Sequence, residues 1–368
     1  MARAAVLTGL DLPLEIRDDV VVDPPRAGEI RIRVAACGVC RSDLSMQDGT
    51  LPIPMPAVLG HEASAVVEEV GAGVTDLAPG DHVVVSWVPQ CGDCFFCRRG
   101  QPQLCQAADV VLLAGGLLDG TPRLRLDGAP LFQMSGAGAF SDETVIPASA
   151  AVKVPHDVPL DVAALLGCAV LTGVGAALNT AMIRQGDTVA VVGCGGVGLN
   201  IVQGARIAGA EVIVAIDVVP AKLATAEVFG ATHMVDASRV DATNAVRDLT
   251  GQRGADVAFE ALGQGRTIEQ TVDMTRRGGQ AILVGIPRLD VMLTVPAMLG
   301  LVLQERTIKG CWYGSSDIRR DVPRLVDLYR EGCLRLDELV SRRIDLSEVN
   351  QALEDMKAGE ATRSVIVY

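Results

Sequence analysis

Aromatic side chains are scarce in this chain: six Phe, three Tyr and two Trp make up 3 % of its 368 residues. Its cores must therefore be built from Val, Ile, Leu and Ala. Histidine is rare too. His61, His82, His156 and His233 are the four present, which narrows any nitrogen-donor metal site. Basic charge is in deficit, with 32 Lys and Arg against 45 Asp and Glu and a net charge of −13. That balance argues against nucleic acid and against an anionic membrane surface as partners. No apolar run reaches the ~20 residues of a membrane span. Residues 162–178 are uncharged but Gly-rich, and residues 291–303 are shorter and hold Pro296. Both read as buried elements or as an interface between subunits. The opening MARAAVLTGLDLP has no continuous apolar stretch before Asp11, so no secretory signal is expected and a cytoplasmic setting is.

Cysteine, at ten residues, breaks this sparseness. In a long chain with that expected compartment, cysteines read as metal ligands rather than disulfides. Four of them, Cys91, Cys94, Cys97 and Cys105, stand in QCGDCFFCRRGQPQLC with the spacing C-x2-C-x2-C-x7-C. Thiolates that dense on one loop can close a tetrahedral cage around one Zn²⁺. An iron–sulfur cluster matches less well, because the bacterial ferredoxin run has a shorter last gap and a following Pro, whereas Gln106 follows here. With those four set apart, Cys40, His61 and Cys168 remain as candidates for a second, open metal site. Two Cys, one His and a water form a catalytic zinc arrangement. These three come from distant segments (GVCRSD, LGHEA and LLGCAV), so spacing alone supports them weakly. Cys168, in an apolar helical stretch, also reads as a buried free thiol, and His61 as a core histidine with its hydrogen bonds satisfied.

An apolar fraction of 49 % and a charged fraction of 21 % describe a globular chain, and its length suggests two domains. The first part is β-rich. IRIRV at 30–34 alternates apolar and charged, and 65–70 and 83–87 are further strand candidates between Gly, Pro and Asp turns. Near residue 160 the pattern changes. Apolar strands at 188–192, 211–216, 257–259 and 280–284 alternate with helical segments such as 198–210, which implies βαβ units and a parallel sheet. Beyond 313 come amphipathic helices (DVPRLVDLYREG, SEVNQALEDMKAG) and a terminal SVIVY strand, expected to return to the first domain. The expected division is 1–169, 170–312 and 313–368.

The strand at 188–192 leads into GCGGVG at 193–198 and then a helix, which is G-x-G-x-x-G in its required context. Gly193 permits the tight turn, Gly195 lets the backbone approach a pyrophosphate, and Gly198 allows close helix–strand packing. Gly196 and Val197 complete the cofactor-binding turn. Asp217 ends the next strand, where its carboxylate would accept from a ribose 2′-OH and repel a 2′-phosphate. Val218 and Val219 follow, with no Arg for such a phosphate, so NAD is expected over NADP. Lys222 is a further contact candidate for the ribose.

The segments GVCRSD, GHE, the four-cysteine run, GC…TG and GCGGVG stand in the order and at about the spacing of the zinc-dependent medium-chain alcohol dehydrogenases. The chain resembles that family over nearly its whole length, with similarity to its class III-like bacterial members. The resemblance implies an α/β protein: a GroES-like β-rich catalytic domain plus a Rossmann domain with a doubly wound parallel sheet. It implies a catalytic zinc on Cys40, His61 and Cys168, with Glu62 as an alternative ligand during exchange, and a structural zinc on the four clustered cysteines. Asp43 would orient His61, and Arg41 and Arg363 would reach the cofactor pyrophosphate.

The implied reaction moves a hydride between an alcohol or aldehyde and NAD, with Ser42 relaying the alcohol proton. Several relatives carry a His three residues after that relay, where this chain has Ser45. Trp87 and Phe140 fall where the family lines its substrate pocket. The expected partner is a small alcohol or aldehyde, and the expected assembly is a homodimer or homotetramer. Two alternatives stay open: a mycothiol-type, thiol-dependent formaldehyde dehydrogenase acting on the S-hydroxymethyl adduct, and a non-catalytic NAD-binding interaction module. The glutathione-linked branch has an acid before GHE and an Arg after the cysteine run. Leu51 and CQAADVVLLAGG stand there instead. Polyol dehydrogenases match less well, because many replace the third Cys ligand by Glu.

Overall fold

In the computed structural model, which describes residues 1–359 and 363–368, the alternating IRIRV run forms part of strand Glu29–Gly38. Ile30, Ile32 and Val34 point into the core, while Arg31 and Arg33 pair with Glu69 and Glu68 on the neighbouring strand Glu62–Val70. Period two thus separates a buried face from a charged one. These two strands are central in a sheet whose order runs Ala151–Lys153, His82–Val85, Glu62–Val70, Glu29–Gly38, Ser364–Val367, Arg342–Ile344. The terminal strand therefore pairs antiparallel with Glu29–Gly38, Val365 opposite Gly38. A closed barrel of Ala2–Leu7, Glu15–Val22, Leu124–Leu126, Ala129–Gln133 and Ala57–Val58 adjoins it. Both belong to one structural unit, made of Met1–Ala169, Asp317–Gly332 and Leu336–Tyr368.

The second unit comprises Val170–Ser316 and Cys333–Arg335. Its six strands are β1 (Thr188–Val192), β2 (Val212–Asp217), β3 (His233–Asp236), β4 (Ala255–Glu260), β5 (Thr275–Leu283) and β6 (Thr307–Gly310). All pair in parallel, in the order β3-β2-β1-β4-β5-β6. That is the doubly wound order of dinucleotide-binding folds. The crossovers carry α1 (Gly196–Ile207), α2 (Pro220–Phe229), α3 (Ala242–Leu249) and α4 (Gly265–Met274). Val189, Ala190 and Val191 are fully buried, as a continuous apolar strand inside a parallel sheet should be.

Residues 160–180 fold into short, mostly buried helical segments. Residues 291–303 do not fit the expectation of a buried element. Met292 is 80 % exposed, Met298 65 % and Val302 70 %. The stretch forms only brief turns, Ala297–Leu301 and Val302–Gln304, too short to hold one apolar face inward. Among the described residues no single helix is long and apolar enough to cross a membrane.

Candidate metal centres and nucleotide site

Strand pairing brings Cys40 and His61 together. Gly38 lies opposite Glu62 in the antiparallel register, so the segments just beyond the two strand ends meet. Cys40 is the N-cap of helix Arg41–Gln47, and Asp43, in its first turn, is fully buried. Asp43 Oδ2 accepts from the Cys40 amide at 2.7 Å. Its Oδ1 accepts from the Gly60 amide at 3.0 Å and lies 3.3 Å from His61 Nδ1. A carboxylate only accepts, so this contact places a proton on Nδ1 and leaves the Nε2 lone pair for a metal. Cys168 sits at the break between helical segments Ala164–Gly167 and Ala169–Gly175 rather than inside a helix. The ligand atoms of Cys40, His61 and Cys168 all lie within 4.8 Å of one another, and all three residues are buried.

The electrostatics of this cluster suit a cation. Cys168 hydrogen-bonds the Cys40 sulfur and holds its thiol well below the usual value, against burial, with His61 adding to the effect. The same contact and burial push Cys168 well above it. Burial opposes a charge on His61, but Asp43 and Cys40 outweigh it and raise its pKa. Glu62 is fully buried, and burial pushes its carboxyl up to about 8 despite Arg363 beside it. Its Oε2 lies 3.4 Å from Arg363, while its Oε1 has no hydrogen-bond partner among the described residues. Two thiols and an imidazole with an orphaned carboxylate oxygen beside them make a donor set that fits a zinc ion. Gly38 makes room for it, since a Cβ there would stand 2.6 Å from Glu62 Oε1.

The four clustered cysteines form a second group, their sulfurs also within 4.8 Å of one another. All ten cysteines are free thiols. Backbone amides already point at the sulfurs: Cys94 N–H donates to Cys91 Sγ and Cys91 N–H to Cys105 Sγ, both at 3.3 Å. Such amides favour thiolates, and those of Cys97 and Gln106 pull Cys94 down to about 6.

In the other unit, β1 runs into the GCGGVG turn and α1. Gly198 sits where a Cβ would stand 1.8 Å from the Gly193 carbonyl oxygen, so no larger residue fits. At Gly195, the N-cap of α1, a Cβ would meet nothing within 4 Å, and no side chain caps the helix. Open space before a row of free N–H groups suits a phosphate. Asp217 closes β2 over the turn: Oδ2 accepts from the Cys194 amide at 2.8 Å, and Oδ1 from the Val218 and Val219 amides at 2.8 and 3.0 Å.

Known families carry this combination. An alcohol dehydrogenase GroES-like domain matches residues 26–156, and a zinc-binding dehydrogenase domain matches residues 196–331. The chain belongs to the zinc-dependent medium-chain alcohol dehydrogenase family. An NDMA-dependent alcohol dehydrogenase of Amycolatopsis methanolica is 40 % identical over 100 % of this chain and 98 % of its own. An S-(hydroxymethyl)glutathione dehydrogenase of Paracoccus denitrificans is 37 % identical over 100 % of this chain and 99 % of its own. The crystal structure of benzyl alcohol dehydrogenase from Acinetobacter calcoaceticus superposes with a TM-score of 0.94 at 31 % identity, covering 100 % of this chain and 99 % of that one. The protein is thus an oxidoreductase of the alcohol–aldehyde class.

Around the metal cluster of this dehydrogenase, Arg41 is exposed on the first helical turn, and Ser42 is half-buried with Oγ 4.0 Å from Cys40 Sγ. Ser45 is half-buried on the same helix. Arg363 is 5 % exposed and engaged with Glu62 and the Val39 carbonyl, a partnership that family spacing alone does not reveal. Trp87 is buried at 9 % exposure. Phe140 is fully buried in the core, with its ring close beside Gly60. Its ring packs against the loop before His61. Lys222 is half-buried near the start of α2, and no ion pair joins it to Asp217 among the described residues. The Glu62–Arg363 pair had one sequence signal, the acid directly following the ligand histidine, but no spacing rule joins it to a residue 301 positions later.

Proposed function

We propose that this dehydrogenase oxidises small alcohols with NAD, using Cys40, His61 and Cys168 as ligands of a catalytic zinc and Cys91, Cys94, Cys97 and Cys105 as ligands of a structural one. The observation that carries the reading is the Asp43 carboxylate, which orders two ligand segments at once. When bound, the zinc would supply Lewis acidity that lowers an alcohol's hydroxyl pKa, and NAD would supply the hydride acceptor. Asp43 keeps His61 in the tautomer a metal needs. Ser42 Oγ takes the alcohol proton and passes one on, because a hydroxyl both accepts and donates. Arg363 balances Glu62 while that carboxylate is charged. Gly193, Gly195, Gly196, Val197 and Gly198 hold the pyrophosphate against α1, Asp217 takes the adenosine ribose hydroxyl with Lys222 nearby, and Arg41 and Arg363 serve the phosphates. Trp87 narrows the pocket. The stretch 1–169 with 313–368 acts as the catalytic domain and 170–312 as the nucleotide domain, in the cytoplasm.

The test follows NADH formation by zinc-replete protein over ethanol, longer and aromatic alcohols, and formaldehyde with and without glutathione or mycothiol, with an NDMA arm. Turnover of free alcohols, lost in Cys40→Ala, supports the reading. Turnover only with formaldehyde plus a thiol moves the protein to the adduct-oxidising alternative. Helix Gln106–Ala114, which stands where the glutathione-linked branch has an Arg, carries no cation. Zinc and NAD binding without any turnover would favour a non-catalytic module.

The exposed apolar stretch at 291–303, together with β6 on the sheet edge, supports a homodimer or homotetramer through this face. A monomer in sedimentation at micromolar concentration would overturn that.

A further inference from the structure

One cluster of arginines in this acidic chain includes none of the proposed zinc ligands and none of the GCGGVG turn. An open cleft of about 670 Å³ in the nucleotide unit is lined by Arg247, Arg253, Arg276, Arg277 and Arg306, with Asp273 as its one lining carboxylate. Three elements and their flanks build it. Arg247 comes from α3 and Arg253 from the turn after it, Arg276 and Arg277 open β5, and Arg306 directly precedes β6. Their internal partners are few. Arg276 pairs with Asp256 at 2.5 Å, Arg277 Nε donates to Gln304 Oε1 at 3.1 Å, and Arg247 donates to the Asp273 carbonyl at 3.2 Å. Arg306 donates from Nη1 to the Gly300 carbonyl at a long 3.4 Å, and its buried Nε has no hydrogen-bond partner among the described residues.

A half-buried guanidinium whose buried Nε lacks a partner, set among other guanidiniums, is costly unless an anion joins it. The balance of charges on Arg306 says the same: burial lowers its pKa, Asp273 raises it, and Arg247 and Arg277 lower it further. Guanidinium forks match phosphate oxygens two at a time, and a cleft of this size lies within the range of small-ligand sites.

We propose that this cleft is a second anion site, one that takes a di- or triphosphate group. Free inorganic polyphosphate and a nucleotide polyphosphate share that chemistry. The full-length, zinc-loaded protein is titrated calorimetrically with inorganic pyrophosphate and, separately, with ADP. Saturating NAD is present throughout, so that the GCGGVG turn is occupied. The expected result is about one pyrophosphate per chain, with affinity falling as salt rises. Arg306→Gln and Arg277→Gln should each weaken binding about tenfold or more, with turnover at saturating NAD unchanged. Arg277 is exposed, so its variant reports even where Arg306→Gln folds poorly. Tighter binding of ADP than of pyrophosphate assigns the site to nucleotides, and the reverse assigns it to inorganic polyphosphate. Absence of binding with NAD present, including through cover by a second copy of the chain, overturns the proposal. So does equal binding by wild type and the Arg277→Gln variant.

Discussion

Replacing Asp43 by Asn isolates what a single carboxylate does for the metal cluster. The side chain keeps its size and one oxygen, but one end becomes an N–H donor. In the structure every group facing Asp43 is itself a donor: the Cys40 amide at Oδ2, and the Gly60 amide and His61 Nδ1 at Oδ1. Whichever way the Asn amide turns, its NH₂ therefore confronts a donor. If the oxygen stays with Gly60 and His61, the Cys40 amide loses its partner at the helix N-terminus. If it turns to Cys40, the imidazole loses the contact that keeps the proton on Nδ1. The residue is fully buried, so water does not repair either loss. An unsatisfied buried donor costs about 1–3 kcal/mol. Losing the group that orients a ligand histidine lowers metal affinity by about 10–100-fold, which is the same range at about 1.4 kcal/mol per decade. The assay is zinc per chain after equilibration in chelator-buffered zinc, read beside NADH formation. Asp43→Asn should lose one zinc at 10–100-fold higher free zinc than wild type and keep the other, with part of the activity restored by excess zinc. Superimposable zinc titrations and unchanged turnover would refute the argument.

Other perturbations test separate parts of the site. Arg363→Met removes the cation that keeps the Glu62 carboxyl from rising beyond about 8, so in urea unfolding the loss of stability should be larger at pH 9 than at pH 7, with Arg363→Lys between the two; an equal loss at both pH values rejects the pairing. Asp217→Ala removes the acceptor of three turn amides and should raise the NAD dissociation constant about tenfold or more while narrowing the preference over NADP; fluorescence titration with both cofactors reads this, and equal loss for both would count against a ribose contact. Ser45→His places a group of ordinary pKa near 6.5 behind Ser42, so turnover should rise at low pH if proton exit is limiting. A pH profile parallel to wild type would remove Ser45 from the route.

The sequence revealed the elements whose signals are local. The nucleotide turn is the clearest, because a strand, three glycines and a helix start must be contiguous to work, and β1 occupies the residues the apolar run marks out. The IRIRV strand was legible for the same reason, although it extends to Gly38, beyond the alternating stretch. The barrel strands Glu15–Val22 and Leu124–Leu126 were not, since polar and charged residues interrupt any simple alternation. Residues 291–303 misled as a buried element because apolarity alone does not distinguish a core from a face awaiting a partner.

The metal cluster was legible only in part, and the strand register explains why. His61 follows Cys40 by 21 positions, a gap that no ligand-spacing rule covers. The pairing of Gly38 with Glu62 and Cys37 with Ala63 makes that gap a short distance in space. Side chains alternate along a strand, so a slip by one residue would turn Glu62 away from Arg363 and its neighbours. The pairing is held from both faces, by Ile32, Val34 and Val67 inside and the Arg31–Glu69 and Arg33–Glu68 pairs outside. Ordinary sheet packing thus sets the distance between the two ligand segments, and Asp43 then fixes their orientation. That division of labour predicts that trimming the Ile32 side chain reduces stability with little change in zinc affinity of the folded protein, whereas Asp43→Asn lowers both. A comparable loss of zinc affinity in Ile32→Val and Asp43→Asn would mean that position and orientation are not separable here.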